Sequence, residues 1–244
     1  MIPRRLVFYL FLFCASGVPF LGQDASKPLT SAAHFDMPAF IKETQQSVNE
    51  PGYVGLVWWI PTQYWELSLE RAGMSQEKAK ERYAPLRKYT VVAVVLGKLG
   101  IGNINYISES EIREATTIRD SDGNVYQPVQ KLSADAAGLV SIMKAVFSNV
   151  MGPMGPNVQM LFFSATNRMA MPIADPLSPG GFSVTVSKIV GGKDKVLEWR
   201  LPLTALSPPK YCPVGKERVQ ANWKYCPWHG VKLDESVAAD STAK

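Results

Sequence analysis

Apolar residues recur along this chain with two different periods, and the change from one to the other falls near Tyr89. Upstream, the segment from Met37 to Val48 places Phe40, Ile41, Thr44 and Val48 near helical spacing, and the turn residues Asn49 to Gly52 stop it. This spacing predicts a short helix. The run "YVGLVWWIP" that follows is rich in β-formers and closed by Pro61, which predicts a buried strand. Thr62 then opens a helix running through Leu69 to Gly73, and Ser75 opens a second that ends near Ala84 and Pro85.

From Tyr89 the texture is that of strands. "YTVVAVVLGKLG" is a β-branched run, "IREATTIRDSDGNVYQPV" alternates around an Asp122-Gly123 turn, and "VQMLFFSATN", "GGFSVTVSKIV" and "KVLEWRLPL" complete the series. One helix interrupts it. Ser133 is its N-cap, and Leu139, Ile142, Met143, Val146, Phe147 and Val150 form an apolar stripe that requires a covering surface. The pattern defines an α+β fold: a β-sandwich-like, immunoglobulin-like body with helices on its N-terminal side, one inserted amphipathic helix, and a small C-terminal hairpin. In Trp58-Trp59, adjacent strand residues face opposite ways, so at most one enters a two-layer core. The other is expected under the helices between Thr62 and Ala84.

The N-terminus changes the compartment. Arg4 and Arg5 precede an apolar run from Leu6 to Phe13, with small residues at Ala15, Ser16 and Gly17. This is the layout of a secretory signal peptide rather than a spanning helix. The reading is an exported, periplasmic or extracellular protein whose leader, residues 1–22, is removed, leaving no integral membrane span. Loss of Arg4 and Arg5 takes two charges off the formal +5, and loss of Cys14 leaves Cys212 and Cys226. Nucleic acid is not an expected partner of such a chain. An envelope protein or polysaccharide is, and basic residues outnumber acidic ones between Lys188 and Lys232.

Catalytic provision is sparse. The histidines are His34 and His229, no nucleophile turn of the G-x-S-x-G type occurs, and Glu109, Glu111 and Glu114 read as exposed positions. "DSDGN" from Asp120 places its glycine too early for a calcium loop and reads as a tight turn. Met143, Met151, Met154, Met160, Met169 and Met171 offer thioethers for Cu(I), although flexible core filling explains Met143 and Met160.

The most specific signal is "KYCPVGKERVQANWKYCPWHG", in which a Tyr-Cys-Pro unit occurs twice. Between Tyr211 and Leu233 the chain resembles a degenerate zinc ribbon, whose usual knuckles read Cys-Pro-x-Cys-Gly. Cys212, Cys226 and His229 match ligand positions, and Gly215 stands where the fourth ligand belongs. Two cysteines on facing turns of an exported chain also suit a disulfide. The expected state is a Cys212–Cys226 disulfide with no cofactor, and the alternative is a three-ligand zinc site through Cys212, Cys226 and His229. The whole chain, with its "WWIP", "DGNVYQP" and "EWRLPL" segments, resembles a group of uncharacterised exported bacterial proteins, a likeness that implies no activity.

The domain reading is a signal peptide (1–22), a linker (23–35), a β-rich body (36–207), the ribbon-like hairpin (208–233) and a polar tail (234–244). The functional expectation is a non-catalytic binding or assembly module of the bacterial cell envelope. The alternatives are a carboxylate-dependent envelope hydrolase and a metal-handling protein that uses the methionines or the incomplete ribbon.

Overall fold

In the computed structural model the described residues are 36–206, 210–220 and 223–233. The expected signal peptide, His34 and the polar tail lie outside them. Among these residues five α-helices, α1 (Met37–Thr44), α2 (Thr62–Arg71), α3 (Gln76–Tyr83), α4 (Glu109–Ala115) and α5 (Ala134–Val150), accompany two larger open antiparallel sheets and a two-stranded one near the C-terminus, so the fold is α+β. In the first sheet β1 (Gln45–Glu50), β2 (Tyr53–Trp59) and β3 (Tyr89–Leu99) run side by side. Both β4 (Ile104–Tyr106) and β7 (Gln159–Ser164) pair with β3. The second sheet has the order β6 (Val125–Tyr126), β5 (Thr116–Arg119), β8 (Gly180–Val190) and β9 (Lys193–Leu201).

The hydrophobic pattern of each strand reports how many of its faces are covered. On β3, Val92, Val94 and Leu96 join one core cluster while Val91, Ala93 and Val95 join another. A strand buried on both faces needs a continuous apolar run, and "VVAVVL" supplies it. On β8 and β9 only alternate residues are buried: Phe182, Val184 and Val186 on one, Leu197, Trp199 and Leu201 on the other. These side chains share the first cluster with Trp59 and Leu161, so the two sheets pack across one core. Trp59 meets Phe182 edge to face at 4.7 Å. At the sheet edge Gln46 Nε2 donates to the Glu198 carbonyl at 2.6 Å, and Lys195 pairs with Glu50.

The far face of the first sheet is covered by helices. Trp58 lies there, edge to face with Tyr64 of α2 at 5.2 Å and with Phe147 of α5 at 5.3 Å. Both tryptophans are therefore buried, one on each side of β2. On α5, Ser133 accepts a hydrogen bond from the Ala136 amide, as an N-cap should. Its buried face consists of Ala136, Leu139, Val140, Met143 and Phe147. Ile142 and Val146, expected in the buried stripe, are 51% and 45% exposed, because the packed face is turned toward Ala136 and Val140.

Two other boundaries differ from expectation. The helix expected over 37–48 stops at Thr44, where three bonds converge. The Thr44 hydroxyl donates to the Phe40 carbonyl and accepts from Trp58 Nε1, and its carbonyl accepts from Trp199 Nε1. Gln45 to Glu50 then pair with β2. Ile112 to Ala115, expected in a strand, belong to α4, which opens with a capping box between Ser108 and Glu111.

Candidate metal centre

Beyond β9, short pairing between β10 (Lys210–Tyr211) and β11 (Arg218–Val219) and a bridge between Tyr225 and Lys232 build the two knuckles. Their backbones repeat each other. Cys212 N–H donates to the Glu217 carbonyl and Lys216 N–H to the Cys212 carbonyl; Cys226 N–H donates to the Val231 carbonyl and Gly230 N–H to the Cys226 carbonyl. The residue four after each cysteine is left-handed, with φ of +59° at Lys216 and +65° at Gly230. Cys212, Val219, Cys226 and Leu233 form a small core of their own, flanked by Trp223 and Val231.

Both cysteines are buried free thiols, so the disulfide expected between them is not seen. Their sulfurs instead converge on one ring nitrogen. His229 Nδ1 lies 3.4 Å from Cys212 Sγ and 3.5 Å from Cys226 Sγ. A fourth donor completes the group: Glu217 Oε1 is 3.1 Å from His229 Nδ1 and accepts from Cys226 Sγ at 3.2 Å. One ligand atom from each of Cys212, Glu217, Cys226 and His229 lies within 4.8 Å of all the others. A tetrahedral Zn(II), with Zn–S of about 2.3 Å and Zn–N or Zn–O of about 2.0–2.2 Å, separates its donors by roughly 3.3–3.8 Å. The four edges at His229 Nδ1 and between Cys226 Sγ and Glu217 Oε1, 3.1–3.5 Å long, come within a few tenths of an ångström of that range, and the remaining two are no longer than 4.8 Å.

Sequence reasoning brought together Cys212, Cys226 and His229 and missed Glu217. In the second knuckle the non-cysteine donor stands three residues after its cysteine, a place held by Gly215 in the first. A Cβ on Gly215 would come within 2.0 Å of Glu217 Oε2 and 2.5 Å of His229 Cε1. The carboxylate thus occupies the space the usual ligand would fill, reached from two residues further along the chain. One signal was available: Glu217 is the only acidic residue between Pro208 and Leu233.

The electrostatics suit a cation. The Glu217 carboxyl is held below the usual carboxylate range by its own peptide N–H, against the cost of burial, with the Cys226 and Cys212 thiols donating to it and His229 nearby. Burial pushes the Cys226 thiol up, the amides of His229 and Trp228 pull it down, and Glu217 and Cys212 raise it further. A cation among these donors would reverse that balance, since a coordinated thiol is deprotonated outright. The amides aimed at the sulfur would then stabilise the thiolate.

The other candidates are held in local roles. Asp120 accepts hydrogen bonds from the amides of Asp122 and Asn124 and from the Tyr126 hydroxyl, which makes "DSDGN" a tied turn. Met143 and Met160 fill the helix-side core, while Met169 and Met171 are exposed. Glu111 caps α4, and Glu109 lies 3.8 Å from Lys144 beside a cleft of about 470 Å³ between α5 and β7. Among the described residues lining that cleft Glu109 is the one carboxylate, so no acid–base carboxylate pair is assembled there.

No family model matches the chain, and no curated protein matches it. Among solved structures it is similar to a DUF4426 family protein from Pseudomonas aeruginosa PAO1, with 10% sequence identity and a TM-score of 0.30. That similarity covers 65% of this chain and 94% of the other.

Proposed function

We propose that the chain is an exported, non-catalytic binding or assembly module of the bacterial cell envelope whose C-terminal ribbon is held by one Zn(II). Cys212, Glu217, Cys226 and His229 are its ligands. The observation that carries the metal reading is the convergence of these four donors within 4.8 Å. Four protein ligands close a zinc site, whereas catalytic zinc keeps a position open for water, so the role is structural. Among the described residues no helix is long and apolar enough to cross a membrane. Export rests on the Arg4-Arg5 pair and the apolar run that follows. The sandwich-like reading of the body is supported by two sheets that share one core, with the ribbon as a separate small unit after it. An immunoglobulin-like form of that sandwich has this packing as its support.

Metal analysis and thiol counting on one sample of native-source protein test the proposal. The expected result is one equivalent of zinc, two thiols that react only after chelation, and a mature N-terminus between Val18 and Ser26. A metal-free protein with Cys212 joined to Cys226 would overturn the metal site, and a full-length chain in the cytoplasm would overturn export.

A further inference from the structure

The ribbon carries a second repeat that the metal does not explain. Each knuckle presents an apolar tip residue two places after its cysteine, Val214 in the first and Trp228 in the second, exposed by 59% and 65%. Each places a tyrosine just before the cysteine, and each tyrosine has a cation directly across the pairing: Tyr211 opposite Arg218, and Tyr225 opposite Lys232. Directly paired residues of neighbouring strands lie on the same face, so aromatic and cation stand side by side twice. Trp228 is braced by Trp223, 5.7 Å away between ring centres. Val214 precedes Gly215 and Trp228 precedes His229, and a Cβ on Gly215 would stand 2.5 Å from His229 Cε1, so the two tip residues are the chain neighbours of two residues in contact.

The charge is one-sided. Lys210, Lys216, Arg218, Lys224 and Lys232 lie in the ribbon, and the single acid, Glu217, is turned into the cluster. Lys210 is tied to the Trp223 carbonyl at 2.8 Å. Lys216, Lys224 and Lys232 make no ion pair among the described residues. Zn(II) with two thiolates, one carboxylate and a neutral imidazole carries a single negative charge, so loading the site leaves the outer surface cationic.

We infer that this end of the ribbon docks on an anionic lipid surface, with Val214 and Trp228 entering the headgroup–acyl boundary and the lysines and Arg218 meeting lipid phosphates. The inference rests on the metal-held ribbon of the preceding section, since the cation fixes the two knuckles beside each other. Amphipathic aromatics beside lysine and arginine suit the membrane–water interface, where the ring finds an apolar layer and the cation an anionic one. Val214 distinguishes lipid from an anionic polysaccharide. An aliphatic tip gains by leaving water for hydrocarbon, while a hydrated sugar chain offers it no such phase.

The test uses the chain from residue 23 onward, which keeps every described residue, loaded with zinc and sedimented with phosphatidylcholine vesicles with and without phosphatidylglycerol. Binding is expected to be at least about tenfold stronger on the anionic vesicles and to weaken as salt rises. The Trp228→Ala, Val214→Ser double variant should lose about tenfold in partitioning while keeping its zinc, and Ile101→Ser, at an exposed hairpin tip in the body, should bind as the parent does. Zinc-loaded protein that ignores anionic vesicles, retention on an anionic polysaccharide alone, or loss of binding through Ile101→Ser rather than the ribbon variant would each overturn the proposal. Zinc content measured on the same samples keeps the two readings apart: a chain that takes up no zinc refutes the metal site, and vesicle binding that survives chelation refutes its role in organising this surface.

Discussion

Gly215 and Glu217 share one space: a Cβ on the glycine would stand 2.0 Å from a carboxylate oxygen of the glutamate. The knuckle therefore carries its fourth donor at a displaced position, and the two residues form a single exchangeable unit. Glu217→Ala should lower zinc affinity by more than the roughly 10–100-fold typical of a change behind the ligands. Gly215→Cys combined with Glu217→Ala should restore it, because the thiol then enters the space the carboxylate has left. Competition with a chromophoric chelator measures both. Parental affinity in Glu217→Ala would show that the carboxylate is not a ligand.

Chelation should act on the ribbon and spare the body. The ribbon's own core is Cys212, Val219, Cys226 and Leu233 with two flanking side chains, too small a cluster to fold a segment of this length unaided. The body has two large clusters that share no residue with it. Removing zinc should expose amides of residues 210–233 to hydrogen exchange while those of β3 and β8 stay protected. Exchange that is unchanged in the ribbon would mean it folds without metal.

Much of this was legible in the sequence, for reasons particular segments make plain. β3 and β8 declared themselves because a strand buried on two faces and a strand buried on one leave different patterns, "VVAVVL" and alternation. β1 did not, since "QQSVNE" has almost no apolar content and becomes a strand through its pairing with β2 and the bonds around Thr44. The start of α4 was written in Ser108 and Glu111, but the β-branched residues after them outweighed that cap. Two of the three protein donors expected at the ribbon are repeated by motif. The fourth stands outside the Cys-Pro-x-Cys-Gly spacing, so the sequence marks Glu217 only as the lone acid of the segment, and its proximity to Gly215 in three dimensions places it among the donors.

The Asp120 turn sets a pH dependence. Burial acts to raise the Asp120 carboxyl, but the Tyr126 hydroxyl, the Asn124 side chain and the amides of Asn124 and Asp122 outweigh it and hold it below its ordinary value. Tyr126 is pushed up to about 12, first by burial and then by its bond to Asp120 and that residue's charge. A depressed carboxyl contributes stability above its unfolded pKa near 3.9 and loses that contribution as pH falls toward the folded value. A raised phenol contributes fully below about 10 and loses its share as pH climbs through about 12. Tyr126→Phe should cost about 1–2 kcal/mol at neutral pH, and the difference from the parent should shrink at both extremes. Denaturant melts across pH measure it, and a constant difference would mean the pair is not coupled to titration.

The last prediction concerns which face of α5 holds the helix to the sheet. Sequence spacing offered Ile142 and Val146 together with Met143 and Phe147, yet exposure separates them: Met143 and Phe147 are 1% and 4% exposed, Ile142 and Val146 51% and 45%. Phe147 stands edge to face with both Trp58 and Trp65, so its loss opens a cavity among those rings. Phe147→Ala should therefore cost about 3–5 kcal/mol and Met143→Ala about 2–5. Ile142→Ser and Val146→Ser, at half-exposed sites, should stay within about 0.5 kcal/mol of the parent apart from a small loss of helix propensity. Thermal or denaturant unfolding of the four variants decides between the two faces. If the serine variants melted as early as the alanine ones, the helix would be covered on its outer side as well, and Ile142 and Val146 would belong to a contact between molecules.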